Sequence, residues 1–133
     1  MPLEIWIIDD DLVSLYATRY RIDQANVNAK VLDFDNAEIA LNVYLEKQRT
    51  EQNLPDIILL DLVMPEMCGW RFLEEIDKVP ETRKKPEIYV LSAFSNSKDR
   101  KRAKDHGAIH GHFDKPLSKL NMEKMLIPLD PRS

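Results

Sequence analysis

Three stretches of the chain, Ile5-Trp6-Ile7-Ile8, Ile57-Ile58-Leu59-Leu60 and Ile88-Tyr89-Val90-Leu91, are apolar at every position. A strand with one wet face alternates apolar and polar residues. A strand apolar throughout must be buried on both faces, as the inner strands of a parallel sheet are. Each run is far too short to be a membrane helix. Two weaker strand candidates, Lys30–Phe34 and Ile109–Phe113, join Leu3–Ile8, Asp56–Leu60 and Glu87–Leu91. The first, which carries Trp6 and neither Gly nor Pro, is expected to lie inside the sheet.

Helical patterns fill the intervals. Val13, Tyr16, Ala17 and Tyr20 recur at spacings of three and four, which predicts one apolar stripe on a first helix. Asp35 followed by Glu38 resembles a capping box, ahead of Ala37, Ala40, Leu41, Tyr44 and Leu45. Phe72, Leu73 and Ile76 mark a third helix, ended by Pro80. Ser97 is the expected cap of a fourth, stopped by Gly107, and Ser118 of a fifth, stopped by Pro128. The fourth has Ala103 and little else to bury, so weak docking and mobility are expected of it. Five βα units predict an α/β sandwich with a doubly wound, mostly parallel sheet. Right-handed crossovers leave two strand orders, 3-2-1-4-5 and 2-1-3-4-5.

At 133 residues the chain is long enough for one core-bearing domain, and nothing is left over for a second. Cys68 is the single cysteine, so no internal disulfide is possible and a reducing compartment is expected. No charged, apolar leader is read at the start, and a cytoplasmic location follows as the expectation. Three glycines cannot build a glycine-rich phosphate loop. A formal net charge of −4 argues against nucleic acid as the main partner. The basic run Lys98–Lys104 is read as a solvated helix face or part of a protein-binding surface. His106, His110 and His112 lack the spacing of a metal motif, and Met122 and Met125 are read as core.

Ligands of open α/β sheets bind beyond the carboxyl ends of the strands. There the sequence places Asp9, Asp10 and Asp11 after the first strand, Asp61 after the third, Ser92 after the fourth and Lys115 after the fifth. If the first and third strands are neighbours, Asp9, Asp10 and Asp61 share one cleft. Each close carboxylate pair costs on the order of 4 kcal/mol at 4 Å and an effective dielectric near 20. Either a proton or a cation must relieve that, and an all-oxygen set suits Mg²⁺ better than zinc. Mg²⁺ and Lys115 would neutralise the three carboxylates and leave a site ready for an anion. A carboxylate beside Mg²⁺, a lysine and a serine hydroxyl has what a phosphoryl acceptor needs, with Asp61 as nucleophile.

These pieces resemble a known family. Asp9-Asp10 after Ile5–Ile8, Asp61-Leu62-Val63-Met64-Pro65 after Ile57–Leu60, Leu91-Ser92-Ala93 and Lys115-Pro116 are together similar to the receiver domain of two-component response regulators. The resemblance runs from about Leu3 to Ile127. It implies the flavodoxin-like order 2-1-3-4-5, with helices on both faces, and phosphorylation of Asp61. It implies Mg²⁺ held by Asp10, Asp61 and the backbone carbonyl of Val63, with Asp9 contributing through water. It also implies that Ser92 and Lys115 bind the phosphoryl group and that Lys115-Pro116 is cis. The implied partners are a sensor histidine kinase or phosphotransfer protein upstream and a protein target downstream, with neither membrane nor direct nucleic-acid binding. Residues 1–133 would then be a single receiver with no output domain, a switch rather than an enzyme.

The chain departs from the family pattern in places. His112 stands where the family often has the Tyr or Phe that rotates inward when Ser92 shifts. Val63 and Phe94, at positions that flank the phosphoryl group, are apolar and cannot orient a water, so slow hydrolysis of phosphorylated Asp61 is expected. Two other readings compete. Asp9-Asp10-Asp11-Leu12-Val13 also resembles the motif of haloacid dehalogenase-type phosphatases, with Asp9 as nucleophile and Asp11 as general acid, though Asp61 then has no role. The other rival is a pseudo-receiver that binds partners without being phosphorylated.

Overall fold

A computed structural model describes residues 3–25, 28–64, 67–78, 85–92 and 97–126, and of residues 92 and 97–100 the backbone alone. Strands β1 (Leu3–Ile8), β2 (Ala29–Phe34), β3 (Ile57–Leu60), β4 (Glu87–Ser92) and β5 (Ile109–Asp114) alternate with helices. The helices are α1 (Leu12–Gln24), α2 (Ala37–Arg49), α3 (Gly69–Asp77), α4 (Ser97–Asp105) and α5 (Lys119–Leu126). All strand pairs are parallel, in the order β2-β1-β3-β4-β5. That decides between the two orders left open by the pattern.

The uninterrupted apolar runs are explained by two cores. Trp6, Ile8, Ile58 and Leu60 pack with α2 and α3 on one face. Ile5, Ile7, Ile57 and Leu59 pack with α1 and α5 on the other, where Met122 and Met125 are buried as expected. β1 is paired on both sides and Trp6 is fully buried.

Two local expectations are corrected. The stripe Val13, Tyr16, Tyr20 of α1 faces outward, and Leu15, Thr18 and Ile22 face the sheet. Thr18 can be buried because its hydroxyl donates to the Ser14 carbonyl at 2.9 Å. With that polar group satisfied, Leu15 and Ile22 decide which face docks. The cap of α2 is Asn36, not Asp35: the Asn36 Oδ1 accepts from the Ile39 N–H at 3.1 Å. Ser118 does cap α5, accepting from the Asn121 N–H at 3.0 Å. α3 ends at Asp77, ahead of Pro80, which lies outside the described residues together with Pro128 and the side chain of Ser97. Among the described side chains of α4, Ala103 is the buried one.

Candidate functional site

The register of the inner strands builds the site. Ile8 pairs with Leu60, so Asp9 and Asp61 leave the sheet side by side. Backbone bonds extend the ladder through them, Asp61 N–H to the Ile8 carbonyl at 2.9 Å and Asp9 N–H to the Phe34 carbonyl at 3.0 Å. Carboxylate oxygens of Asp9, Asp10 and Asp61 lie within 4.8 Å of one another. Asp9 and Asp61 are buried and Asp10 is exposed, so the cluster has a dry floor and one wet side. It is the one cluster of this kind among the described residues, and the histidines form none. His106 and His110 each use Nδ1 to accept a backbone N–H, from Ala108 and Ile88 respectively.

Lys115 supplies the countercharge. Leaving β5 after Asp114, it places Nζ 2.8 Å from Asp9 Oδ2 and 3.0 Å from Asp61 Oδ2. The Lys115-Pro116 bond is cis, as the resemblance implied. β4 lies between β3 and β5, so the backbone of Ser92 ends between Asp61 and Lys115; its side chain is outside the described residues, as is all of Phe94. The other oxygens are held too. Asp9 Oδ1 accepts from the Asp11 N–H and Asp61 Oδ1 from the Val63 N–H, each at 3.0 Å. Asp11 caps α1 through the N–H groups of Val13 and Ser14. His112 is half-buried on β5, opposite Val90.

Burial pushes the Asp61 carboxyl above the ordinary carboxylate pKa; the Val63 N–H and Lys115 pull against that, and the charge of Asp9 adds to the rise. Burial disfavours the Lys115 ammonium, but hydrogen bonds and charge from Asp9 and Asp61 outweigh it, so its pKa lies above that of a free lysine. Three carboxylates face one ammonium. The hard, all-oxygen donor set with a charge deficit fits Mg²⁺, with Asp9, Asp10 and Asp61 as the residues to hold it.

One residue of the site has no chemistry in its side chain. A Cβ on Gly69 would lie 2.5 Å from the Asp61 carbonyl oxygen and 2.9 Å from the Leu62 Cα. The start of α3 therefore presses directly on the Asp61 backbone, and the Gly69 N–H bonds the Leu62 carbonyl at 3.1 Å. The sequence signal was a single glycine ahead of an amphipathic helix, which does not tell close approach from an ordinary turn.

Residues 5–127 match the response regulator receiver domain family. The chain belongs to that family. Receiver domains of this kind are signalling modules rather than catalytic enzymes, and they bind Mg²⁺ in an acidic pocket. A two-component response regulator from Legionella pneumophila is 28% identical, with a TM-score of 0.79 over 96% of this chain and 97% of that one. A two-component response regulator from Cytophaga hutchinsonii, 18% identical, shares the fold with a TM-score of 0.82 over 97% of this chain and 98% of its own. The probable transcriptional regulator ycf29 of Porphyra purpurea is 30% identical over 118 residues, which are 88% of this chain but 51% of that protein. The chain thus spans about half the length of that relative.

Proposed function

We propose that this receiver accepts a phosphoryl group on Asp61 from a histidine kinase or phosphotransfer protein and thereby switches a protein-binding surface. The observation that carries the reading is the buried Asp61 carboxylate, clustered with Asp9 and Asp10 and 3.0 Å from the Lys115 ammonium. An Asp61 oxygen attacks the phosphorus of a phosphohistidine. The O–P bond forms as the P–N bond breaks, and the electron pair returns to the imidazole, which takes a proton. Asp9, Asp10, Asp61 and the Val63 carbonyl are the proposed Mg²⁺ ligands. Bound there, the ion would neutralise charge on the phosphoryl oxygens.

The phosphoryl group adds about −2 charge. Lys115, tied to two carboxylates, is the proposed cation for the added oxygens, and Ser92 is the proposed donor from the end of β4. His112 is the proposed follower, and the response passes to a protein partner through α4, β5 and α5. With Val63 and Phe94 apolar, the acyl phosphate is expected to be long-lived, and Val63→Asn with Phe94→Glu to shorten its lifetime. The proposed location is the cytoplasm; no described helix is long and apolar enough to cross a membrane.

Mass spectrometry after incubation with acetyl phosphate and Mg²⁺ tests the proposal. Wild type should gain one phosphoryl group, Asp61→Asn none, and Asp9→Asn a reduced amount. Labelling abolished by Asp9→Asn and retained by Asp61→Asn would instead favour the phosphatase reading. An unlabelled wild type would favour the pseudo-receiver.

A further inference from the structure

A cavity opens at the end of the sheet opposite the acidic cluster. Asp61 and Lys115 follow the carboxyl ends of their strands. The cavity sits at the amino ends of β4 and β5, where Lys85 and Pro86 lead into one strand and Gly107 and Ala108 into the other. Its volume is about 350 Å³, enough for a small ligand. The floor is apolar: Tyr44 from α2, Ile76 from α3 and Ile88 from β4 are buried and belong to the core on that face. Gly107 lines the cavity too. Its φ is not positive, and a Cβ built on it would meet nothing within 4 Å, so neither the turn nor the packing demands glycine there. What the missing side chain does is leave the mouth open.

Three polar side chains stand around that floor, Asp77, Lys85 and His110, and none of them forms an ion pair with a described residue. Lys78, next to Asp77 in the chain, is held instead by Glu75 at 2.9 Å. His110 is committed on one nitrogen. Its Nδ1 accepts the Ile88 N–H at 3.2 Å, where the β4–β5 register slips. The ring proton is therefore on Nε2, which finds no partner among the described residues. The Lys85 ammonium and the His110 Nε2–H are donors for an anion, and Asp77 on α3 is an acceptor. Between them an aromatic ring, a proline and two branched side chains suit a flat apolar body. We propose that this cavity binds a small planar aromatic carboxylate whose other end carries a hydroxyl or amine donor. Lys85 and His110 would hold the carboxylate, the ring would lie against Ile76 and Ile88, and the donor would reach Asp77. No residue of the phosphoacceptor site takes part, so the proposal stands apart from that reading.

The test titrates the full chain in a calorimeter with three probes: hydroxynaphthoate, naphthoate without the hydroxyl, and naphthylmethylamine, which replaces the anion by a cation. Hydroxynaphthoate should bind with micromolar affinity that weakens with added salt, naphthoate severalfold more weakly, and the amine not measurably. Lys85→Gln should weaken hydroxynaphthoate binding about tenfold and flatten its salt dependence. His110→Asn keeps an oxygen to accept the Ile88 N–H but lacks the Nε2 donor, and should weaken binding severalfold. Gly107→Leu should weaken it by narrowing the mouth. Lys101→Gln, at an exposed cation of α4 outside the cavity, should change nothing. Each of these variants should keep the wild-type melting temperature and acetyl phosphate labelling at Asp61. Asp61→Asn should bind hydroxynaphthoate as wild type does, so loss of the cavity and loss of the phosphoacceptor are read separately. Preference for the amine, no binding of either carboxylate at millimolar concentration, or binding unmoved by the Lys85, His110 and Gly107 changes would overturn the proposal.

Discussion

β1 and β3 run through the middle of the sheet with partners on both edges and a core on both faces, and residues such as Trp6 and Ile58 reach no solvent. β5 lies at an edge, and no residue along it is fully buried. Its pairing with β4 slips by one residue between Ile88 and Tyr89, and there the Ile88 N–H bonds His110 Nδ1 at 3.2 Å. Next to it, α4 is held by buried Ala103 and by Arg102, whose guanidinium lies 4.1 Å from the Trp70 ring centre. The acidic residues of the site therefore follow strands whose apolar side chains are all buried, whereas the lysine that answers them arrives on an edge strand whose Ile109 and Phe113 only partly enter the two cores. An ion-binding cluster has to keep its geometry when its charge changes. A readout element has to be able to move.

The contrast predicts unequal costs. Ile58→Ala, in the heart of the sheet, should lower stability by about 3–4 kcal/mol in urea titration. A loss below about 1 kcal/mol would mean that the middle of the sheet is no better fixed than its edge. Gly69→Ala comes next. Its methyl group would press on the Asp61 backbone, so a loss of about 1–3 kcal/mol is expected, together with reduced phosphoryl labelling. Normal labelling at reduced stability would show that α3 supports the fold without setting Asp61.

The same contrast explains what could be read in advance. Runs without a polar residue have one solution, burial on both faces, and they identified the inner strands and put Asp9 and Asp61 at strand ends. α1 offered two stripes of similar apolarity. The choice between them rested on a hydrogen bond from Thr18 to the Ser14 carbonyl, which side-chain periodicity does not encode. Asp35 and Asn36 were adjacent, equally good caps, and backbone geometry chose between them. The role of Gly69 depends on contact between segments distant from its own helix. The strand order needed the family resemblance as well as the pattern.

Charge at the rigid centre gives a prediction in pH. The native state raises the Asp61 pKa above its ordinary 3.8, so it binds this proton more tightly than the unfolded chain does. Stability from this group is therefore full below pH 3.8 and falls as pH rises through the raised native value. Asn cannot ionise. In EDTA, Asp61→Asn should melt at a higher temperature than wild type at neutral pH, and the two curves should converge at acidic pH. A constant gap across pH would mean that burial does not strain the Asp61 carboxylate.

The smallest effect is expected at α4. Replacing Arg102 by Gln removes the cation over Trp70 while keeping a long polar side chain, and should cost about 0.5–1 kcal/mol. Global stability is thus a poor reporter, but local opening is a good one. If the Arg102–Trp70 contact is a main anchor of α4, amide exchange should speed up across Ser97–Asp105 in the variant while β1 and β3 keep their protection. Trp70 emission, read in a Trp6→Phe background, should shift as the guanidinium leaves its ring. Unchanged exchange in α4 would transfer its anchoring to Ala103 and the backbone turn at His106, making the helix a fixed part of the edge rather than a movable one.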